Sequence, residues 1–179
     1  LLAQLEARAA SRADRSPPSD RQRARLVEAH ERQHECLLRL SGGDPTGARA
    51  QCESALRVFV DLDDRGGQAM AQTNLGVIDL SLGQYGPARE RLLRGLRLAR
   101  ELGDTDVQAN ATNALGAVDM ATGRLPQALT RFELALAAFQ RQHDQPQQDR
   151  ARNNIAGLQV LLTRHDEAVA MYESLLRSR

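Results

Sequence analysis

Apolar and small residues recur along this chain with a period of 40 residues. One position in every period is alanine, and its four occurrences are Ala48, Ala88, Ala128 and Ala168. The Leu75-Gly76 pair returns as Leu115-Gly116, and in weaker form as Ile155-Ala156. A fixed period of this length is typical of an array of stacked structural units, each of which packs against its neighbours.

Each period contains two helical patterns separated by a turn. The first pattern places Ala71, Leu75 and Ile78 on one side of a helix. Glycine marks the turn at three positions, which are Gly43, Gly83 and Gly123. Pro126 fits the first turn of a second helix, and Gly66-Gly67 is interpreted as a further helix stop. No strand-like alternation occurs in the sequence, so we predict an all-α solenoid of eight repeat helices.

The predicted domain limits follow the period. Four repeats should span about residues 21–64, 65–104, 105–144 and 145–179, after an N-terminal helical segment and Pro-rich linker at 1–20. Asp20 is the predicted N-cap of the first repeat, and Thr105 with Gln108 has capping-box spacing. The chain begins at Leu1 rather than Met, which leaves open that it is a fragment of a longer protein.

Composition excludes several classes of function. Apolar residues make up 41% of the chain and aromatic residues 3%, so small and aliphatic side chains must pack the helices. The net charge of +1 does not favour nucleic acid or an anionic membrane as a partner. No apolar run reaches the ~18 residues that cross a bilayer. We therefore predict a cytoplasmic protein with neither a membrane nor a nucleic-acid partner.

Cys36 and Cys52 fall at positions that are apolar or small in the other periods. We predict two reduced, buried thiols, because free cysteine packs as a small hydrophobic residue. A disulfide across one helix pair is the alternative, and a cytosolic protein argues against it.

Two groups of residues have candidate chemistry. His30-Glu31-Arg32-Gln33-His34 matches H-E-x-x-H, in which two imidazoles one helical turn apart hold zinc. The third ligand would have to be Glu53, so a zinc protease is the least favoured hypothesis, and we predict no metal, cofactor or catalytic residue. The arginine-rich stretch from Arg89 to Arg100 is predicted to be a solvated surface, with contact to an acidic partner or nucleic acid as the alternative.

The repeat itself resembles a known family. Gly83 follows the Leu75-Gly76 pair by seven residues, Ala88 comes five later, and Leu92 four after that. This pattern resembles the tetratricopeptide repeat, in the longer bacterial and regulatory variety of about 40 residues. The resemblance implies a right-handed α-solenoid of stacked helix-turn-helix repeats. One departure is that Asp79, Asp119 and Gln159 replace the aromatic residue usual in the first helix.

In this family the first helices of the repeats line a concave groove that holds peptides. The resemblance therefore implies a set of candidate peptide-binding residues: His30, His34, Asn74, Asn110, Asn113, Arg150, Asn153 and Asn154. Gln33 and Thr73 belong to the same predicted groove, and Leu80, Met120 and Val160 would form an apolar floor. An asparagine amide can both donate to and accept from a peptide backbone, but it can also bond within its own helix.

The function that we predict is a non-catalytic scaffold that binds a protein or peptide. The alternative is a sensory or oligomerisation module of a larger bacterial transcriptional or signalling regulator. Homodimerisation through the terminal helix is part of that alternative, because Ala168, Tyr172 and Leu176 have no following polar cap.

Overall fold

Eight helices make up the part of the chain that the computed structural model describes, residues 19–162 and 165–177. They are α1 (Asp20–Ser41), α2 (Pro45–Asp61), α3 (Arg65–Ser81), α4 (Tyr85–Leu102), α5 (Thr105–Ala121), α6 (Leu125–Arg141), α7 (Gln145–Leu161) and α8 (His165–Arg177). Consecutive helices pack against one another, which confirms the all-α solenoid. The predicted repeat limits stay our proposal. Most of the predicted segment 1–20 lies outside the described residues.

In two helices the N-cap residue differs from the predicted one. Ser19, not Asp20, is the N-cap of α1, because its hydroxyl accepts from the Gln22 amide while the Gln22 side chain accepts from the Ser19 amide. Asp104, not Thr105, caps α5, and its carboxylate accepts from the Asp106 and Val107 amides. In both places the polar side chain one residue earlier in the chain accepts hydrogen bonds from the free backbone amides of the first helical turn.

Three turn glycines act as predicted. Gly43, Gly83 and Gly123 have φ angles of 82°, 71° and 75°, a region that glycine adopts without steric cost. The predicted stop at Gly66-Gly67 is wrong, because both residues lie in the first turn of α3. A Cβ atom on Gly67 would lie 2.3 Å from a ring carbon of Phe59, so this glycine makes room for the phenylalanine.

The two helices of a central pair meet where one of them has glycine. A Cβ atom on Gly76 would lie 2.6 Å from Cγ of Leu92. Likewise, a Cβ atom on Gly116 would lie 2.7 Å from Cε1 of Phe132. The large side chain of the second helix fills the space that glycine leaves free. The Leu-Gly motif of the sequence is therefore a packing motif.

The first pair closes the same contact with a disulfide. Cys36 and Cys52 occupy the positions of Gly76 and Leu92 in the period, and they are joined across α1 and α2 with Cα atoms 5.5 Å apart. The prediction of two reduced thiols is wrong. The physical reason is geometric: the close approach that places glycine against leucine brings two cysteines within bonding reach.

Contacts between pairs divide the array into two sides. The backbones of the first helices α1, α3, α5 and α7 approach one another in sequence, whereas within the described ranges no Cα atom of a second helix lies within 8 Å of the next second helix. Because the first helices are closer together than the second helices, the array bends with the first helices inside. The faces of α1, α3, α5 and α7 on this inner side are called the inner surface below.

Candidate functional site

The inner surface brings together six of the eight predicted peptide-binding residues. His34, Asn74 and Asn154 share one position of the period, and His30, Asn110 and Arg150 share another, four residues earlier. Residues four apart on a helix are neighbours on one face, so the two sets form adjacent rows. Both histidines and Arg150 are exposed, while Asn74, Asn110 and Asn154 are half-buried.

The other two predicted residues, Asn113 and Asn153, share a third position of the period. Asn113 is only 7% exposed, so it is not an open groove residue, whereas Asn153 is exposed. The Asn154 amide nitrogen donates to Asn113 Oδ1 at 3.2 Å, which links α7 to α5. Asn113 therefore positions the Asn154 side chain through this hydrogen bond.

Several groove residues bond within their own helix or pack inside the array. Asn110 donates to the Asp106 carbonyl at 3.0 Å, the local bonding weighed as the alternative. Gln33 and Thr73 are buried, so their placement in the groove was wrong. Thr73 faces α4, where a Cβ atom on Gly95 would lie 2.4 Å from its hydroxyl.

The predicted apolar floor is divided. Leu80 packs against the core cluster around Leu92 and Leu115, and Met120 packs against the cluster around Phe132, so both fill space between helices. Val160 is 44% exposed and remains available to a ligand. The open part of the inner surface is therefore more polar than predicted.

Two buried aspartates form ion pairs that the sequence interpretation missed. Asp79, at the end of α3, is 0% exposed. Its Oδ1 lies 2.6 Å from Arg49 Nη2 and its Oδ2 lies 3.0 Å from Arg91 Nε. Because Arg49 belongs to α2 and Arg91 to α4, this carboxylate connects two successive helix pairs.

Asp119, at the end of α5, repeats the arrangement with one more arginine. Its Oδ2 lies 2.7 Å from Arg131 Nε, and Arg124 Nε donates to Oδ1 at 2.8 Å. Arg89 of α4 donates to the same Oδ1. These four residues are called the Asp119 network. Arg89 and Arg91 are therefore not a solvated surface as predicted, whereas Arg100 is exposed.

Burial and the neighbouring arginines shift the pKa of Asp119 in opposite directions. Burial alone would raise the pKa of its carboxyl group, but the hydrogen bonds from Arg124 and Arg89 and the charge of Arg131 outweigh that effect. The pKa is held below its ordinary value of 3.8, so the carboxylate is ionised at neutral pH.

A signal for these networks exists in the sequence. Arginines occur 40 residues apart at 49 and 89, and again at 91 and 131. In the fourth period the aspartate is replaced by Gln159, and the two arginine positions are taken by Leu129 and Met171. Acid and arginines are thus present together or absent together, which is the pattern expected of partners in contact.

Comparison with known proteins agrees with the stacked helix pairs of this fold. Residues 107–179 match the family model described as Tetratricopeptide repeat. Aspartyl phosphate phosphatase F from Bacillus subtilis has a similar structure, with a TM-score of 0.72 and 14% identity, over 86% of this chain and 40% of the phosphatase chain. BtubC (BKLC) from P. vanneervenii is also similar, with a TM-score of 0.69 and 18% identity over 98% of this chain and 70% of BtubC. The chain therefore has the fold of a tetratricopeptide-like repeat array.

The resemblance seen in the sequence is thereby confirmed. No curated protein matches the chain. The tetratricopeptide-like array spans only 40% of the length of the phosphatase with which it shares its fold. No described helix is long and apolar enough to cross a membrane.

The H-E-x-x-H segment lies on α1 at one end of the tetratricopeptide-like array. His30 packs its ring on Phe59, with centroids 5.0 Å apart, and its Nε2 lies 3.9 Å from Asp64. Glu53, the third ligand that zinc would need, lies 3.8 Å from Arg91. Residues 19–162 and 165–177 contain no group of three or more His, Cys, Asp or Glu placed to hold a metal ion.

Proposed function

We propose that the chain is a non-catalytic scaffold that binds a protein or peptide along its inner surface. The observation that supports this proposal is the row of first-helix faces on one side of the array, along which Arg150 is exposed and Asn74 and Asn154 are half-buried. Such a surface suits a ligand that runs across several repeats, because each repeat contributes one or two contacts.

The polar groups of the inner surface are suited to binding a ligand. Asn74 and Arg150 have no side-chain partner among the described residues, so both are available to a ligand. An amide can pair with a peptide backbone, and a guanidinium can bind a carboxylate through two parallel hydrogen bonds.

A triple variant of the inner surface tests this proposal. Peptides selected from a displayed random library against the wild-type protein supply the probes. The combined change Asn74→Ala, Arg150→Ala and Asn154→Ala should weaken their binding about 100-fold, since each lost hydrogen bond contributes about 1 kcal/mol. Fluorescence anisotropy measures the affinity, and circular dichroism checks that the variant is folded.

The matched control changes three exposed residues on α4, outside the inner surface: Glu90→Ala, Arg94→Ala and Arg97→Ala. We expect it to bind the selected peptides as tightly as the wild type. Unchanged affinity in a folded inner-surface variant would show that the peptides bind elsewhere and would reject the proposal.

A module of a larger bacterial regulator, and a homodimer through α8, stay predictions. Val169 and Leu176 on α8 are 56% and 72% exposed. Apolar side chains exposed on one helix favour a covering partner, which this alternative would supply.

A further inference from the structure

A cleft separates α4 from α6 on the side opposite the inner surface. No Cα atom of α4 lies within 8 Å of α6, and α5 forms the floor between them. The cleft has a volume of about 530 Å³. Leu96 and Leu134 contribute apolar walls, and Leu134 is 60% exposed. The spacing of the second helices thus creates a site separate from the inner surface.

The cleft has a positive charge that nearby acids do not neutralise. Arg100, Arg131 and Arg141 line it, and no carboxylate does so among the described residues. Arg100 has no side-chain partner in the described ranges, and Arg141 donates only to the Ala137 carbonyl, at 3.3 Å. Arg131 is bound to Asp119, but that single carboxylate already holds two other arginines.

Two acidic residues are adjacent in sequence to residues that line the cleft, and both have other partners. Glu101, which follows Arg100, forms an ion pair with Arg65 of α3. Asp106, at the start of α5, accepts from the Gln142 side chain at 2.8 Å. Neither acid therefore forms an ion pair with Arg100 or Arg141.

The register-matched cleft between α2 and α4 does not share this excess of positive charge. That cleft has a similar volume of about 500 Å³, but Glu53 and Asp61 line it together with Arg57 and Arg91, so its charges balance. At one shared position Val60 there corresponds to Arg100 in the α4–α6 cleft. The fold supplies a cleft at both junctions, and the sequence makes only the second one basic.

The size of the basic cleft limits what fits it. Arg131 and Arg141 are ten residues apart on α6, which is about 15 Å at 1.5 Å per residue. An extended peptide covers that distance in about four or five residues. Carboxylates with this separation would reach both ends, and an apolar side chain between them would contact Leu134.

We propose that the basic cleft between α4 and α6 binds an extended acidic segment of a partner protein. Three arginines without a lining carboxylate provide the charge complementarity, and Leu134 provides an apolar contact. Single-stranded nucleic acid fits less well, because such sites stack bases on aromatic side chains and none lines this cleft. The proposal is independent of peptide binding at the inner surface.

A fluorescein-labelled peptide of sequence GEEALEEG is the probe, and GQQALQQG is its uncharged counterpart. Fluorescence anisotropy should show binding of the acidic peptide alone, and binding should weaken as salt increases. The double change Arg100→Ala and Arg141→Ala should weaken it by about tenfold or more, because charge-assisted hydrogen bonds are lost. No binding of GEEALEEG, or equal binding of the two peptides, would overturn the proposal.

Two matched variants and a competing ligand complete the test. Arg94→Ala with Arg97→Ala removes the same charge from exposed positions of α4 outside the cleft, and it should leave affinity within about twofold, because long-range screened charge contributes little. Equal loss in both double variants would reject a localised site. The inner-surface triple variant should bind the acidic peptide normally, and loss there alone would assign the peptide to the inner surface. Tighter binding of a single-stranded oligothymidylate, with the same arginine dependence, would show a nucleic-acid site instead.

Discussion

The first helix pair and the central pairs close the same contact by different chemistry. In α1 and α2 a covalent bond joins Cys36 to Cys52. In the central pairs glycine faces leucine or phenylalanine, and a buried aspartate binds arginines from successive pairs. Arg39 stands in the first pair at the position of Asp79, and it forms an exposed ion pair with Glu35.

The 40-residue repeat therefore determines where two helices touch, but it does not determine which interaction stabilises the contact. A disulfide responds to reductant and is indifferent to moderate changes of pH. A buried carboxylate among arginines responds to acid and to loss of the charge. The two regions should therefore lose stability under separate conditions.

Removal of the central carboxylate should have the largest effect. Asp119→Ala leaves the three arginines of the Asp119 network without their shared acceptor. Breaking a buried ion pair costs about 3–5 kcal/mol, and we expect about 3–4 kcal/mol because the guanidinium groups keep some contact with water. Urea-induced unfolding followed by circular dichroism measures the change. Gln159→Ala, at the matching position of α7, is the control and should cost less.

Unfolding at acid pH tests the same ion pairs. Because the folded pKa of Asp119 lies below its ordinary value of 3.8, its contribution to stability is present above that value and is lost as the pH falls through the lowered pKa. The wild type should therefore lose this part of its stability below about pH 4. Asp119→Ala should lack that component, and an identical acid transition in both proteins would contradict the assignment.

Reduction of the disulfide should destabilise the first pair by about 3 kcal/mol, the chain-entropy value for a closed loop of this length. The cysteines are separated by 16 residues, so only α1 and α2 lie in or beside the loop. Hydrogen exchange should become faster in these two helices and stay unchanged in α5 and α6. Cys36→Ser with Cys52→Ser should show the same pattern without reductant. Faster exchange throughout the chain would mean that the array unfolds as one unit.

Overpacking a central pair should have the smallest effect of the three. Ala128 is fully buried beside Phe132 and Leu158. Ala128→Leu adds volume that the neighbouring side chains must accommodate, at a cost of about 1–3 kcal/mol. Ala137→Leu makes the same change at an exposed position of α6 and should be nearly neutral. Equal stability of the two variants would show that the 40-residue register is wrong.

Part of the candidate site was predictable from the sequence. The period placed Asn74, Asn154 and Arg150 on the inner side of their helices, where Arg150 is exposed and the two asparagines are half-buried. Asn113 could not be assigned in the same way. It shares one position of the period with Asn153, yet Asn113 is 7% exposed and Asn153 is exposed, so the packing around each helix and not the period decides their burial.

Taken alone, the amino-acid sequence determined the period, the helix pairs, their turns and the apolar stripes that make neighbouring pairs stack. These features depend on spacing within a few tens of residues, and spacing is visible in one chain. Only the tertiary structure decided which side chains meet. Arg89 reaches Asp119 across 30 positions, Cys36 meets Cys52 across a helix pair, and a basic cleft opens where α4 and α6 stay apart. Such contacts depend on how helices rotate and approach, because a turn of about 100° per residue decides whether a side chain is buried, paired or free.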